Sequence, residues 1–271
     1  GPLLAELLLA KLPVVLTSAT LSIAGSLEPY ARRLGFGDTD SYRALRVASP
    51  FDYRSQGLVY AAARLPEPRS PEYQDRAIEE IEALVMASGG RALILTTSYR
   101  MLNSIKDRLD VPFTVLTQGD MPKRRLVEQF EEDETSVLLA TMGFWEGLDV
   151  PGRALELVII DKLPFPRPDE PLWQARREAA EASGRSAFMS VDLPRAGMLL
   201  AQGAGRLIRT TEDRGVVAIL DSRLYKRRYG RTLLQTLPPM PKTTSRAVVE
   251  LFLQGISRSA NTDSSSEMPT T

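Results

Sequence analysis

The chain has 271 residues with 34 basic and 34 acidic side chains, so no global positive field announces a polyanionic partner, and any such surface must be local. It contains neither cysteine nor histidine, which excludes disulfides, thiolate zinc sites, iron–sulfur clusters, triad hydrolases and histidine-based metalloenzymes within this chain. Hydrophobic residues at 43% and charged residues at 25% are ordinary for a folded globular protein, and the length allows one large domain or a domain with a piece of another.

The opening GPLLAELLLAKLPVVL is interrupted by Glu6, Lys11 and Pro13 and lacks a basic leader, so it reads as a short helix running into a strand. No apolar stretch approaches the roughly 20 residues that a membrane crossing needs. The expected location is cytoplasmic, with no membrane partner. Short, nearly continuous apolar runs recur at 12–18 (LPVVLTS), 91–98 (RALILTTS), 113–117 (FTVLT), 136–141 (SVLLAT), 155–161 (LELVIID) and 215–221 (GVVAILD). Such runs suit strands buried on both faces, as in a parallel sheet covered by helices. Amphipathic stretches at 72–87, 99–109, 121–132, 169–183, 192–210 and 223–235 lie between them, and the alternation predicts a three-layer α/β architecture. Residues 62–71 (AARLPEPRSP) read as a proline-rich connector, and 254–271 as a polar, disordered tail.

The chemistry begins with what is missing. A phosphate-cradling loop needs Gly-Lys followed by Ser or Thr at a helix start, and no Gly-Lys pair occurs. No strand ends in the Asp-Glu pair that holds magnesium, and no metal site is expected. Asp161 and Asp221 end apolar runs, where a solvated acid explains each more simply than a metal ligand does.

Four stretches carry the remaining signal. In LLAQGAGRLIR, Gln202, Arg206 and Arg209 stand at i, i+4 and i+7 and would share one helix face. Gly203 and Gly205 each cost about 1 kcal/mol relative to alanine, which makes sense where something approaches the backbone closely. Two guanidiniums on one face make a permanently charged clamp for phosphate oxygens, or else an exposed basic face paired with Glu212 and Asp213. In SVLLATMGFWEGLDVPG, Thr141 ends a strand and Gly143, Glu146, Gly147 and Asp149 crowd the next turn, where parallel sheets bind ligands. Trp145 there reads equally as a stacking platform or a packed indole. Ser98 and Tyr99 follow a strand at a helix start, suited to phosphate or to a plain N-cap. Thr17, Ser18 and Thr20 lie in a run of hydroxyls after the first apolar run.

The order of these stretches is more specific than any one of them. LTSATL, ILTTSY, ATMGFWEGLDVPG, DKLPFPRPDEP and QGAGRLIR together resemble the successive C-terminal-half motifs of the DinG/XPD family of superfamily-two DNA helicases, over about residues 14–235. The resemblance implies a RecA-like domain of the P-loop NTPase type. Residues 1–24 would be the last strand and coupling motif of a first RecA-like domain, 25–253 the second, and 254–271 the tail. It further implies ATP with Mg2+, held mainly by a first domain that carries the P-loop, and single-stranded DNA as partner during repair or replication. Arg206 and Arg209 would act as arginine fingers with Gln202 sensing the nucleotide. Gly147, Asp149, Glu146 and Gly205 would line the nucleotide cleft. Ser98, Tyr99 and Thr141 would contact the strand, and Thr17, Ser18 and Thr20 would relay closure between domains. Two other classes stay open from the residues alone: a non-enzymatic RecA-like module that binds single strands or a protein, and another doubly wound enzyme such as a nucleotide-sugar transferase.

Overall fold

A computed structural model describes residues 2–17, 27–36, 42–45, 47–145 and 155–264. Helix α1 (Pro2–Leu4) continues as a π-helical turn, Ala5–Leu9, and α2 spans Glu28–Leu34. The main body then runs α3 (Tyr53–Gln56), β1 (Gly57–Ala61), α4 (Tyr73–Ser88), β2 (Ala92–Thr96), α5 (Tyr99–Arg108), β3 (Val115–Thr117), α6 (Lys123–Glu132) and β4 (Val137–Thr141). It continues through β5 (Leu157–Ile160), α7 (Pro171–Ala182), α8 (Leu193–Ala204), β6 (Gly215–Ile219), α9 (Arg223–Lys226), α10 (Gly230–Thr236), β7 (Lys242–Thr243) and α11 (Arg246–Ser264).

The strands form one seven-stranded sheet in the order β3-β4-β2-β5-β6-β1-β7. Every pairing is parallel. Side chains alternate across each strand, so both faces are apolar and both need cover. Val59, Leu93, Leu138, Val158 and Val217 pack with Leu126 and Phe130 of α6, Leu200 of α8 and Leu233 of α10. Leu58, Ile94, Leu139, Ile159 and Val216 pack with Ile81 and Leu84 of α4, Ile105 of α5 and Val249 and Leu253 of α11. The three-layer α/β sandwich anticipated from the alternation is therefore formed. Gly197 sits where α8 meets α10: a Cβ there would lie 2.9 Å from the Thr236 methyl, so the glycine sets how closely the two helices approach.

Four local departures from the sequence reading have physical causes. The run at 12–18 forms no strand among the described residues, and Leu12, Val15 and Leu16 are exposed. A strand needs a neighbour's backbone groups, and no strand of this sheet pairs with it. The amphipathic stretch at 223–235 is broken into α9 and α10, with Arg227 extended at the C-cap of α9. Strand β1 was not anticipated, because GLVYA follows the polar Arg-Ser-Gln. The chain is also helical through Ser264, well beyond residue 254 where the polar tail was expected to begin. Val249, Phe252, Leu253 and Ile256 recur at helical spacing and pack toward α4, which holds the first half of that helix.

Candidate functional site

Because all strands run the same way, their exits define a carboxyl edge and their entries an amino edge. The two are separated by about five residues of strand, roughly 16 Å. The sequence-predicted residues divide between these edges.

At the carboxyl edge, Ser98 caps α5, its hydroxyl accepting from the Met101 N–H at 3.3 Å. The plain capping role is thus real, whatever else the residue does. Tyr99, first in that helix, is 62% exposed. Thr141 ends β4, which lies between β3 and β2. A residue absent from the sequence reading joins them. Gln118, just past β3, accepts from the Thr141 N–H at 2.8 Å and hydroxyl at 2.9 Å, and its amide N–H donates to the Tyr99 phenol at 3.1 Å. The only hint in the sequence was a polar residue placed between a buried strand and Gly119, whose φ of 103° marks a turn.

Further along the same edge the acids are fully buried instead of solvated, which corrects the simpler sequence reading of Asp161 and Asp221. Asp161 Oδ1 accepts from the Thr97 and Lys162 N–H groups at 2.9 and 2.8 Å, bridging the exits of β2 and β5. Asp221 accepts from the Leu163 N–H at 2.9 Å and is gripped by Arg223 at 2.7 Å. Tyr73 from α4 donates to the carbonyls of Asp161 and Leu220. Burial pushes the Asp161 carboxyl up to about 7, against the pull of Lys162 and the Thr97 and Lys162 N–H groups. Each acid is spent on neighbouring backbone or on Arg223. Among the described residues no group of three acidic side chains stands together as a metal site would require.

At the amino edge lies the arginine segment. The single helix face predicted for Gln202, Arg206 and Arg209 is not formed: α8 ends at Ala204, with Gly205 as its C-cap, and Arg206 follows in a turn and Arg209 in irregular backbone. Three features end the helix. Gly203 and Gly205 weaken it, Leu207 and Ile208 turn into the core, and Asp213 Oδ2 accepts from the Arg209 and Thr210 N–H groups at 2.8 Å each. The buried Gln56, just before β1, donates from its amide to the carbonyls of Thr210, Thr211 and Asp213 at 2.8 to 3.1 Å. Its partners are more than 150 residues away in sequence, so no local pattern could have found it. The alternative reading, a basic face paired with the following acids, is not formed by Arg206. Glu212 takes the Thr211 hydroxyl, Asp213 takes backbone, and Arg206 has no ion-pair partner among the described residues. Gln202 is half-buried on α8, and Gly205 is exposed. Nearby, the buried Glu156 pairs with Arg91 at 3.2 Å and ties the entries of β2 and β5.

Residues 142–156 run from the exit of β4 to the entry of β5 and so link the two edges. Of them, Met142–Trp145 form a 3-10 turn, with Phe144 in the core beneath Lys123. Glu146, Gly147 and Asp149 lie outside the described residues, as do Ser18 and Thr20. Thr17 is exposed and outside regular structure.

The parallel three-layer sandwich is that of RecA-like motor domains. It superposes on S. tokodaii Xpd4 with a TM-score of 0.54 at 16% identity, covering 76% of this chain and 41% of that one. It superposes on S. cerevisiae Dbp5 bound to RNA and ADP BeF3 with a TM-score of 0.53 at 16% identity, covering 88% and 54%. Residues 81–240 match the family described as the helicase C-terminal domain, and the chain belongs to that family, on its DinG/XPD side. ATP-dependent helicase DinG of Mycobacterium tuberculosis (strain ATCC 25177 / H37Ra) is 44% identical over 261 residues, covering 94% of this chain and 39% of the relative. ATP-dependent DNA helicase YoaA of Escherichia coli (strain K12) is 42% identical over 241 residues, covering 88% and 37%. The chain spans about two-fifths of the length of these curated relatives. Among the described residues no helix is long and apolar enough to cross a membrane.

Proposed function

We infer that this chain is the second motor domain of an ATP-dependent DNA helicase and acts with a P-loop-bearing first domain, supplied in cis or in trans. The observation that carries this reading is the division of labour between the two sheet edges. At the amino edge a turn is fixed through its backbone by Gln56 and Asp213 while Arg206 stays unpaired among the described residues. At the carboxyl edge an exposed tyrosine and a threonine are held together by Gln118.

In the proposed cycle the first domain binds ATP with Mg2+. Domain closure brings Arg206 and Arg209 to the γ-phosphate, where fixed positive charge stabilises the charge spreading over the transferring phosphoryl oxygens. Gln202 senses the nucleotide and exposed Gly205 leaves the end of α8 open to it. Glu146, Gly147 and Asp149, on the segment joining the edges, carry the change to the carboxyl edge. There Ser98, Tyr99 and Thr141 contact single-stranded DNA. Thr17, Ser18 and Thr20 couple the domains. In this reading residues 1–24 complete the first domain, and the protein works in the cytoplasm on repair or replication intermediates. The competing non-enzymatic binding module draws on one observation, the lack of any Gly-Lys pair in the chain.

Arg206→Ala and Arg209→Ala in the intact parent are expected to lower ATP turnover by about 10³-fold or more and to stop unwinding, while single-strand affinity stays unchanged. Full ATPase activity in both variants would remove the finger assignment.

A further inference from the structure

The carboxyl edge continues past β5 to β6, two strand spacings or about 10 Å beyond the exit of β2, and then to β1. The chain leaves β6 into Ser222-Arg-Leu-Tyr-Lys-Arg-Arg-Tyr-Gly-Arg231. Its two ends are anchored. Arg223 is locked to the buried Asp221 and Leu224 is in the core. On the far side Tyr229 packs edge-on against Phe165 and Phe188, with ring centroids 5.8 and 5.2 Å away. Gly230 closes the loop on itself, because a Cβ there would lie 1.9 Å from the Leu224 carbonyl oxygen.

Four consecutive residues between these anchors, Tyr225, Lys226, Arg227 and Arg228, face solvent, and Arg231 is exposed beside them. Tyr225, a large aromatic, is 63% exposed. Arg227 pairs with Glu67 at 2.8 Å, whereas among the described residues Arg228 and Arg231 join no ion pair. The adjoining β1–α4 connector adds exposed Arg64 and Arg69. The acids of this region are Glu67, Glu72 and the buried Asp221, so cations exceed them on a chain whose overall charge is zero. Concentrated cations around an exposed ring are what a single-stranded polyanion with stackable bases recognises.

We propose that residues 225–231 form a second grip on single-stranded DNA, with Lys226, Arg228 and Arg231 on phosphates and Tyr225 stacked on a base. It extends the contacts of Tyr99 and Thr141 along the same edge and rests on the single-strand reading above.

The test is anisotropy of a labelled oligothymidine with this chain across a salt series, comparing Tyr225→Ala, the double variant Arg228→Glu with Arg231→Glu, and Tyr99→Ala. All four positions are exposed, so a melt should show unchanged folding. Tyr225→Ala is expected to weaken binding about tenfold. The charge reversals should weaken it further and flatten the dependence of log affinity on log salt by about 0.7 per lost contact. A strand carrying 5-iododeoxyuridine should photocross-link to Tyr225. Unchanged affinity and slope, with Tyr99→Ala weakened, would overturn the second grip and leave the single-strand reading standing. No binding by the unaltered chain would overturn both.

Discussion

The two edges of the sheet hold their polar groups in opposite ways. At the exits of β5 and β6, carboxylates are buried and consumed: Asp161 by the N–H groups of Thr97 and Lys162, Asp221 by Leu163 and Arg223. At the entry of β6 the backbone is consumed instead. Gln56 and Asp213 hold the turn through carbonyls and N–H groups, and the Arg206 side chain is left without an ion-pair partner among the described residues. Arg223 and Arg206 are thus the same residue type in contrasting circumstances. A guanidinium whose donors are satisfied inside the fold contributes to stability; one held by its backbone alone is available to something outside it.

That contrast makes the two arginine turns separable by mutation. The largest effect belongs to Arg206→Ala, expected to abolish turnover of the intact motor while changing folding stability by no more than about 0.5 kcal/mol, measured by denaturant titration. Asp221→Ala should do the reverse in kind. It leaves the half-buried Arg223 charge and the Leu163 N–H unpaired and should destabilise the chain by about 3 kcal/mol in the same titration. If Asp221→Ala melted normally, the buried edge would not be the structural one.

Asp161 sharpens the comparison through pH. Its carboxyl is raised from 3.8 to about 7 by burial, so over that interval the folded chain keeps a proton that the unfolded chain has released. Stability should therefore fall as pH rises from about 4 to about 7 and level off above, by at most about 1.4 kcal/mol per pH unit. Asp161→Asn keeps an acceptor for Thr97 and Lys162 and should flatten that slope; a slope unchanged in this variant would assign the titration elsewhere. The smallest effect is that of Gln118→Ala, about 1 to 2 kcal/mol from the lost partner of Thr141, accompanied by weaker single-strand binding as Tyr99 loses its tether.

The architecture was legible because a parallel sheet buries both faces. ALILT, VLLAT, LVII and GVVAI are almost wholly apolar, and all but VLLAT are followed by helical periodicity. What failed to read were features decided at long range. GLVYA became β1 by pairing with β6, and LPVVLT formed no strand because no strand of this sheet pairs with it. The spacing of Gln202, Arg206 and Arg209 suggested one helix face, but the burial of Leu207 and Ile208 and the Asp213 cap ended the helix first. Gln118 and Gln56 are amides whose roles come wholly from partners that only folding brings near.

The most direct test of the account is ATP hydrolysis by this 271-residue chain, alone and with a P-loop-bearing first domain added, each with and without single-stranded DNA. The account predicts no turnover alone, turnover stimulated by DNA once the first domain is present, and loss of that turnover in Arg206→Ala. Robust hydrolysis by the chain on its own would contradict it and move the active site away from the amino-edge arginines.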